Sequence, residues 1–330
     1  MRAVGPDSEG WGECSAFPAP NYSPEWTGGA WAVLRHHLVP LALGGADLAA
    51  IKGNPMAKSA LELAILDAEL RAAGVSLAHR LGGTRARVAA GVAIGLAASV
   101  PDLLAEVGRR VEEGYPRVKL KIQPGWDVAP VQAVREQFPT LALQVDANGT
   151  YEPADGAHLS RLDDFDLLCL EQPLGDDDLV GHAVLAGKMR TPICLDESIT
   201  SAHGAANAIA LAACRVINIK PGRVGGYLEA VRIHDLCALR GVPVWCGGML
   251  ETGVGRHANL ALASLPNFSL PGDLSGSDRF YTDDLTDPII LGPDGTIAVP
   301  DRPGTGAQIR FDVLDGATVE RLWCGPGSIP

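Results

Sequence analysis

The sequence predicts an α/β protein built on a (β/α)7β barrel, and three observations carry that reading. Four short apolar runs each end in a charged residue: Leu141–Asp146, Leu167–Glu171, Thr191–Asp196 and Arg215–Lys220. Their charged ends fall 25, 25 and 24 residues apart, and a fifth run ends at Lys121, a further 25 residues before Asp146. Each interval holds one strand and one helix, the rhythm of a repeated βα unit. The third observation is that both chain ends lack this rhythm, which sets them apart as a companion to the barrel. In a parallel barrel the strand C-termini open on one face, so the five charged ends are expected on one rim of a modified TIM barrel.

The elements follow in order. Residues 1–20 are rich in Gly and Pro, and Gly10-Trp-Gly-Glu13 reads as a turn entering a strand. Trp31, Leu34, Leu38 and Leu41 have helical spacing over 24–43, and Ser59–Arg71 reads as an amphipathic helix. Residues 1–85 are therefore expected to form an incomplete, mainly helical α+β capping domain. The barrel is expected over 86–273. Its first two strands are placed at Val88–Leu96 and Val118–Ile122, its seventh at Val242–Cys246, and a short eighth at Asn267–Leu270. Helices are expected near 101–114, 128–138, 155–163, 178–188, 201–213, 225–240 and 254–264, with Gly114 and Gly241 as stops. After Gly276 the pattern breaks into turns with β-like pieces at Ile289–Leu291 and Thr296–Val299. Residues 274–330 are expected to pack back on the capping domain.

A chain of 330 residues at 47% hydrophobic content can bury a large core. The formal charge is −12 and no Lys/Arg-rich run exists, which argues against nucleic acid and anionic membranes as partners. No apolar stretch reaches the ~18 residues of a membrane span, and the start is not a signal peptide, so a soluble cytoplasmic protein is expected. Seven cysteines, an odd number with no C-x-x-C pair, read as small buried hydrophobes in a reducing compartment.

Asp146, Glu171 and Asp196 put three carboxylates on adjacent strand ends, where they repel one another unless a cation neutralises them. Taken singly, each is more simply a helix N-cap; equal spacing after three apolar runs argues otherwise. Such hard oxygen ligands suit Mg²⁺, or alternatively Mn²⁺. Lys121 and Lys220 flank the trio at the ends of apolar strands, where a solvated face does not explain them. Beside a divalent cation and another ammonium, their pKa is expected to fall into the range of a general base. Lys119 alternates with Lys121 and shares its face of the strand. The set suits removal of a proton from the carbon next to a carboxylate, with the metal stabilising the enediolate. The glycine-rich Gly247–Gly255 is a weak candidate anion cradle in reach of substrate. His36, His37 and His257 read as surface or packing residues, and no nucleophile elbow or Cys–His arrangement appears.

These residues resemble the enolase superfamily, and more closely its o-succinylbenzoate synthase / N-acylamino acid racemase group. The resemblance runs from Gly10-Trp-Gly-Glu13 to about residue 310. Its motifs are Lys119-Leu-Lys121, Asp146-Ala-Asn148, Glu171-Gln-Pro173, Asp196-Glu-Ser198, Asn218-Ile-Lys-Pro-Gly-Arg-Val-Gly-Gly226, Gly247-Gly-Met-Leu-Glu-Thr-Gly253 and Leu270-Pro-Gly-Asp273. It implies Mg²⁺ on Asp146, Glu171 and Asp196, and Lys121 and Lys220 on opposite faces of a substrate α-carbon. Lys119 would help hold the substrate carboxylate, with Asn148, Arg223, Gly248 and Met249 as further contacts. The implied reaction is dehydration of 2-succinyl-6-hydroxy-2,4-cyclohexadiene-1-carboxylate to 2-succinylbenzoate, a step of menaquinone biosynthesis. Racemisation of N-acyl (N-succinyl) amino acids is the alternative or second activity, and an inactive carboxylate-binding barrel is the reading from another class. Two departures stand out. The family's strands before Gly10 are expected to be missing, and Ala93 stands where relatives often have serine. The expected partner is a small carboxylate, in a homo-oligomer by the default for soluble enzymes.

Overall fold

Two glycines decide how the chain enters the fold. In the computed structural model, which describes residues 1–325, β1 (Arg2–Val4) pairs antiparallel with β2 (Glu9–Trp11). One strand thus does stand before Gly10. A Cβ on Gly10 would lie 2.2 Å from the Ala64 carbonyl oxygen, and one on Gly12 would lie 2.0 Å from that of Ala60. Only glycine lets the strand approach the helix behind it so closely.

α1 (Thr27–Val33) runs through a π-helical turn, Leu34–Leu38, into α2 (Val39–Leu43). Pro40, which lacks an N–H, sits where the ladder resumes. The helix behind β2 is α3 (Pro55–Ala73), followed by α4 (Leu77–Leu81). α3 was expected to be amphipathic, yet Met56, Ala57, Leu61, Leu63, Leu66 and Leu70 are all buried. It is wrapped because it packs against β2 and also against the helical turn that follows Lys220.

The expected first barrel strand is split into β3 (Arg87–Ala89) and β4 (Gly91–Ile94), with the Ala90 N–H between them donating to the Gly295 carbonyl. The repeat then runs α5 (Val100–Glu112), β5 (Arg117–Lys121), α6 (Val128–Gln137), β6 (Ala142–Asp146) and α7 (Gly156–Leu159). It continues with β7 (Leu170–Glu171), α8 (Leu179–Ala186), β8 (Ile193–Leu195), α9 (Ala202–Ala210) and β9 (Val216–Ile219). α10 (Pro221–Val224), α11 (Tyr227–Arg240), β10 (Val244–Cys246) and α12 (Gly253–Ala263) complete it. The helix expected at 155–163 is instead a chain of short turns, Pro153–Asp155, α7 and Ser160–Phe165. Pro153 and Gly156 are poor helix formers there, and the Ser160 hydroxyl donates back to the Gly156 carbonyl.

Among the described residues, β4 to β10 form one parallel sheet of seven strands in chain order. The eighth strand is a correction. The segment from Asn267 to Gly272 makes single bridges, Phe268 to Val244 and Gly272 to Ala90, because Pro271 offers no N–H for a continuous ladder. These bridges still join the two edge strands and close the barrel. Leu143, Val145, Leu170, Ile193, Leu195, Ile217 and Ile219 are fully buried in its wall.

Past the barrel, β11 (Thr296–Ala298) pairs antiparallel with β3, while Ile289–Leu291 forms no strand. The Thr305 N–H donates to Asp67 of α3 at 2.6 Å, and Phe311, opening α13 (Phe311–Ala317), meets Trp11 edge-on at 5.9 Å. The expected tail segment also includes residues 326–330, which lie outside the described residues. No described helix is long and apolar enough to cross a membrane. The seven cysteines carry no disulfide among the described residues, and Cys169, Cys194, Cys214, Cys237 and Cys246 are buried.

Candidate active site

Strand register brings the charged ends level. Lys121 lies opposite Asp146, and Asp146 opposite Glu171; Asp196 and Lys220 follow the last residues of β8 and β9. Acids that do cap helices here are Asp127 and Asp178, on α6 and α8. The trio caps none of the described helices. Two residues beside it, Asn148 and Gln172, hold left-handed backbone at φ 44° and 37°, a strained conformation for non-glycine residues. The side chain of Gln172 explains its place: its Oε1 accepts from the Asp196 N–H at 3.0 Å and its Nε2 donates to Ser198 at 2.8 Å.

The ammonium of Lys119 stands among three carboxylates, 3.1 Å from Asp146, 3.0 Å from Glu171 and 2.7 Å from Asp273. Trp245 packs against it at 4.8 Å, and Arg117 shares Asp273 at 2.7 Å. Glu171 also accepts from Gln144 at 3.0 Å and Asn218 at 2.8 Å. Lys121 donates to Asp146 at 2.7 Å and to the Asn148 Oδ1. Lys220 donates to Asp196 at 2.7 Å and to the Tyr22 hydroxyl at 2.9 Å, with the Tyr22 ring 5.0 Å from its Nζ. The Lys121 side chain is 31% exposed and that of Lys220 only 8%, so one opens to the mouth and the other lies under the first lobe.

Among the side chains themselves, the carboxylates decide the state of the two buried lysines, Lys119 and Lys220. Burial disfavours both buried ammoniums, but carboxylates outweigh it: Asp273, Glu171 and Asp146 hold Lys119 well above its ordinary value, and Asp196 with Tyr22 does so for Lys220. The cost falls on the acids unevenly. Arg223 and Lys220 overcome burial to bring Asp196 down to about 2. Burial, then the charge of Asp146, pushes Glu171 up to about 8.

As the side chains stand, no three His, Cys, Asp or Glu groups among the described residues are gathered so as to hold a metal ion. Lys119 lies between Asp146 and Glu171, in contact with both. The donor chemistry still fits a hard divalent cation. The three acids are buried and adjacent, Glu171 is pushed up by burial and by Asp146 in spite of Lys119, and Asp196 Oδ1 takes no hydrogen bond. Arg223 Nη2 stands 2.6 Å from that oxygen, but its N–H groups are directed at the Ile199 and Asn218 carbonyls.

The other expected contacts are placed differently from one another. Arg223 is buried on Asp196 rather than open to a ligand, and Asn148 is engaged by Lys121 and Glu197. Gly247 and Gly248 border the site: a Cβ would lie 2.3 Å from Asn218 Oδ1 on the first and 2.6 Å from the Asp273 carbonyl oxygen on the second. Met249 is buried, its N–H held by Glu251 at 2.7 Å. The glycine-rich loop does cradle an anion, the carboxylate of Glu13, which accepts from the Thr252 N–H at 2.9 Å, the Thr252 hydroxyl at 2.8 Å and the Gly255 N–H at 2.9 Å. His257 bonds the Gly253 carbonyl, and His36 and His37 are exposed. Sequence reasoning missed Tyr22, Asp273 and Glu197 as members of the site. The last two stand inside the quoted motifs, whereas Tyr22 sits in a Pro-rich loop with no signal of its own.

The model of the enolase C-terminal domain-like family matches residues 102–313. An N-succinylamino acid racemase of Amycolatopsis sp is 55% identical over 335 residues, spanning 98% of this chain and 91% of the relative. The o-succinylbenzoate synthase of Bacillus subtilis (strain 168) is 48% identical over 314 residues, spanning 92% of this chain and 84% of the relative. A solved structure described as a probable mandelate racemase from Alicyclobacillus acidocaldarius matches with a TM-score of 0.92 at 39% identity, covering 97% of this chain and 88% of that one.

Proposed function

The chain belongs to the enolase superfamily, in the group of o-succinylbenzoate synthases and N-acylamino acid racemases, and from that premise we propose that it removes the proton next to a substrate carboxylate. The proposed reaction is dehydration of 2-succinyl-6-hydroxy-2,4-cyclohexadiene-1-carboxylate to 2-succinylbenzoate. One observation carries it: Lys121 and Lys220 reach the carboxylate trio from opposite sides, with β6, β7 and β8 between their strands.

Lys121, as the free amine, takes the α-proton, and the electron pair passes into the substrate carboxylate. The same ammonium then gives the proton to the departing hydroxyl, water leaves, and the ring becomes aromatic. Lys220, held as an ammonium on Asp196 and Tyr22, lies across the plane and offsets the charge that builds on the carboxylate. Lys119 adds a fixed positive charge beside it. A divalent cation on Asp146, Glu171 and Asp196 would supply further charge for the enediolate oxygens. The proposed division is a capping domain of residues 1–85 with the segment 274–330 over a barrel of 86–273, supported by the contacts of Tyr22 with Lys220 and of Glu13 with Thr252.

Racemisation of N-succinylamino acids is the second reading, favoured by the 55% identity to a racemase. There the two lysines would alternate as base and acid. Incubation with Mg²⁺ and the cyclohexadiene substrate, followed by ultraviolet absorbance, tests the first reading, and optical rotation of N-succinyl amino acids tests the second. Turnover insensitive to a chelator would contradict the metal assignment. Full activity in Lys121→Ala would contradict the proton transfer.

A further inference from the structure

Glu197 has no part in the chemistry described above, and its surroundings are costly. It sits beside Asp196 at the rim, half-buried, where burial and then Asp196 and Asp146 oppose its charge while Lys220 and Arg223 favour it. Its Oε2 is buried without a hydrogen-bond partner, and among the described residues its side chain makes one bond, accepting from Asn148 Nδ2 at 2.8 Å. Asn148 in turn is held by a left-handed backbone and by its own N–H, which donates to Asp146 Oδ1 at 3.1 Å.

The amide of Asn148 works in only one orientation here. With Oδ1 toward Lys121 and Nδ2 toward Glu197, both ends are satisfied. Turned over, it would set N–H against ammonium and oxygen against carboxylate. An acceptor at position 197 therefore locks the amide that holds Lys121. Among the described residues no amide is placed on Lys220 in this way: its hydrogen bonds go to Tyr22 and Asp196, and Glu197 reaches it by charge alone.

We propose that Glu197 is a positioning residue for Lys121, acting through Asn148 and serving one face of the substrate only. This rests on the proposed roles of the two lysines. The test uses the whole protein with saturating Mg²⁺ in D₂O and reads α-proton exchange of N-succinyl-D- and N-succinyl-L-phenylalanine separately. The enantiomer whose exchange Lys121→Arg abolishes marks the Lys121 face. Glu197→Ala should slow exchange on that face on the order of tenfold and leave the other within about twofold. Glu197→Gln keeps an acceptor oxygen and should restore it. The thermal midpoint should not fall in either variant.

Equal slowing on both faces, or rescue by tenfold more Mg²⁺ but not by glutamine, would overturn the relay and assign Glu197 to general electrostatics. If the unaltered protein dehydrates the cyclohexadiene but exchanges neither amino acid, the same variants are read by kcat, where alanine falls and glutamine does not. Failure of the unaltered protein in both assays would overturn the functional reading itself.

Discussion

The two halves of the site are built by different means. The Lys121 half is made within the barrel: strand β5 supplies the lysine, β6 its carboxylate, and the loops after β6 and β8 supply Asn148 and Glu197. The Lys220 half needs the rest of the chain, since its partners include Tyr22, 198 residues away in the first lobe. α3 packs on the helical turn just after Lys220, and Glu62 of α3 accepts from the Tyr227 N–H at 2.5 Å. A barrel can thus aim one base by its own register, while the opposite one is coupled to how the cap is seated. Damage to the cap should register on one face of the substrate before the other.

The largest expected effect is the loss of a lysine. Lys121→Ala should lower turnover by roughly 10²–10⁴-fold, the range for a positioned acid or base, and Lys220→Ala by roughly 10²–10³-fold, the range for a group that stabilises developing negative charge. Dehydration rates measured on folded variants check this, and equal residual activity above a tenth of normal would break the scheme.

Next is Gly247→Ala. The added methyl would meet Asn218 Oδ1 at 2.3 Å and Lys220 Cε at 2.8 Å, so the Lys220 half should fail selectively. The expected stability cost is about 1–3 kcal/mol by denaturant unfolding. Glu13→Ala empties the loop that the cap anchors and leaves the Thr252 and Gly255 N–H groups unpaired. It should cost about 1–2 kcal/mol and raise KM more than it lowers kcat.

The smallest change is Tyr22→Phe, which keeps the ring against Lys220 and removes one hydrogen bond. A fall of about three- to tenfold in kcat is expected, from one bond of ~1 kcal/mol. If instead the Lys121 face responded to this variant, the two halves would not be separately built.

What the sequence made legible follows from periodicity. The 25-residue interval located every strand from β5 to β9, and a strand's last residue is where a barrel must place it on the rim. Chain segments with weak local signals were lost: Pro153 and Gly156 break a helix that spacing alone draws through 155–163, and Pro271 reduces the eighth strand to bridges. In the site, the five charged ends were visible because each closes an apolar run. Tyr22 on Lys220 and Glu13 on the α12 loop were not, since contacts across 198 and 239 residues leave no periodic trace. The lysine environment also escaped, because Asp273, the acid closest to Lys119, lies just after the bridging segment Asn267–Gly272, which forms no continuous strand.

The account stands on a lysine at each face of the substrate, and the second reading makes each of them a base in turn. Lys121→Arg and Lys220→Arg, each given the two N-succinylphenylalanine enantiomers in D₂O with Mg²⁺, measure it most directly. Each variant should lose α-proton exchange with one enantiomer and keep it with the other, in opposite senses. Both variants losing the same enantiomer, or either still exchanging both at the normal rate, would contradict it.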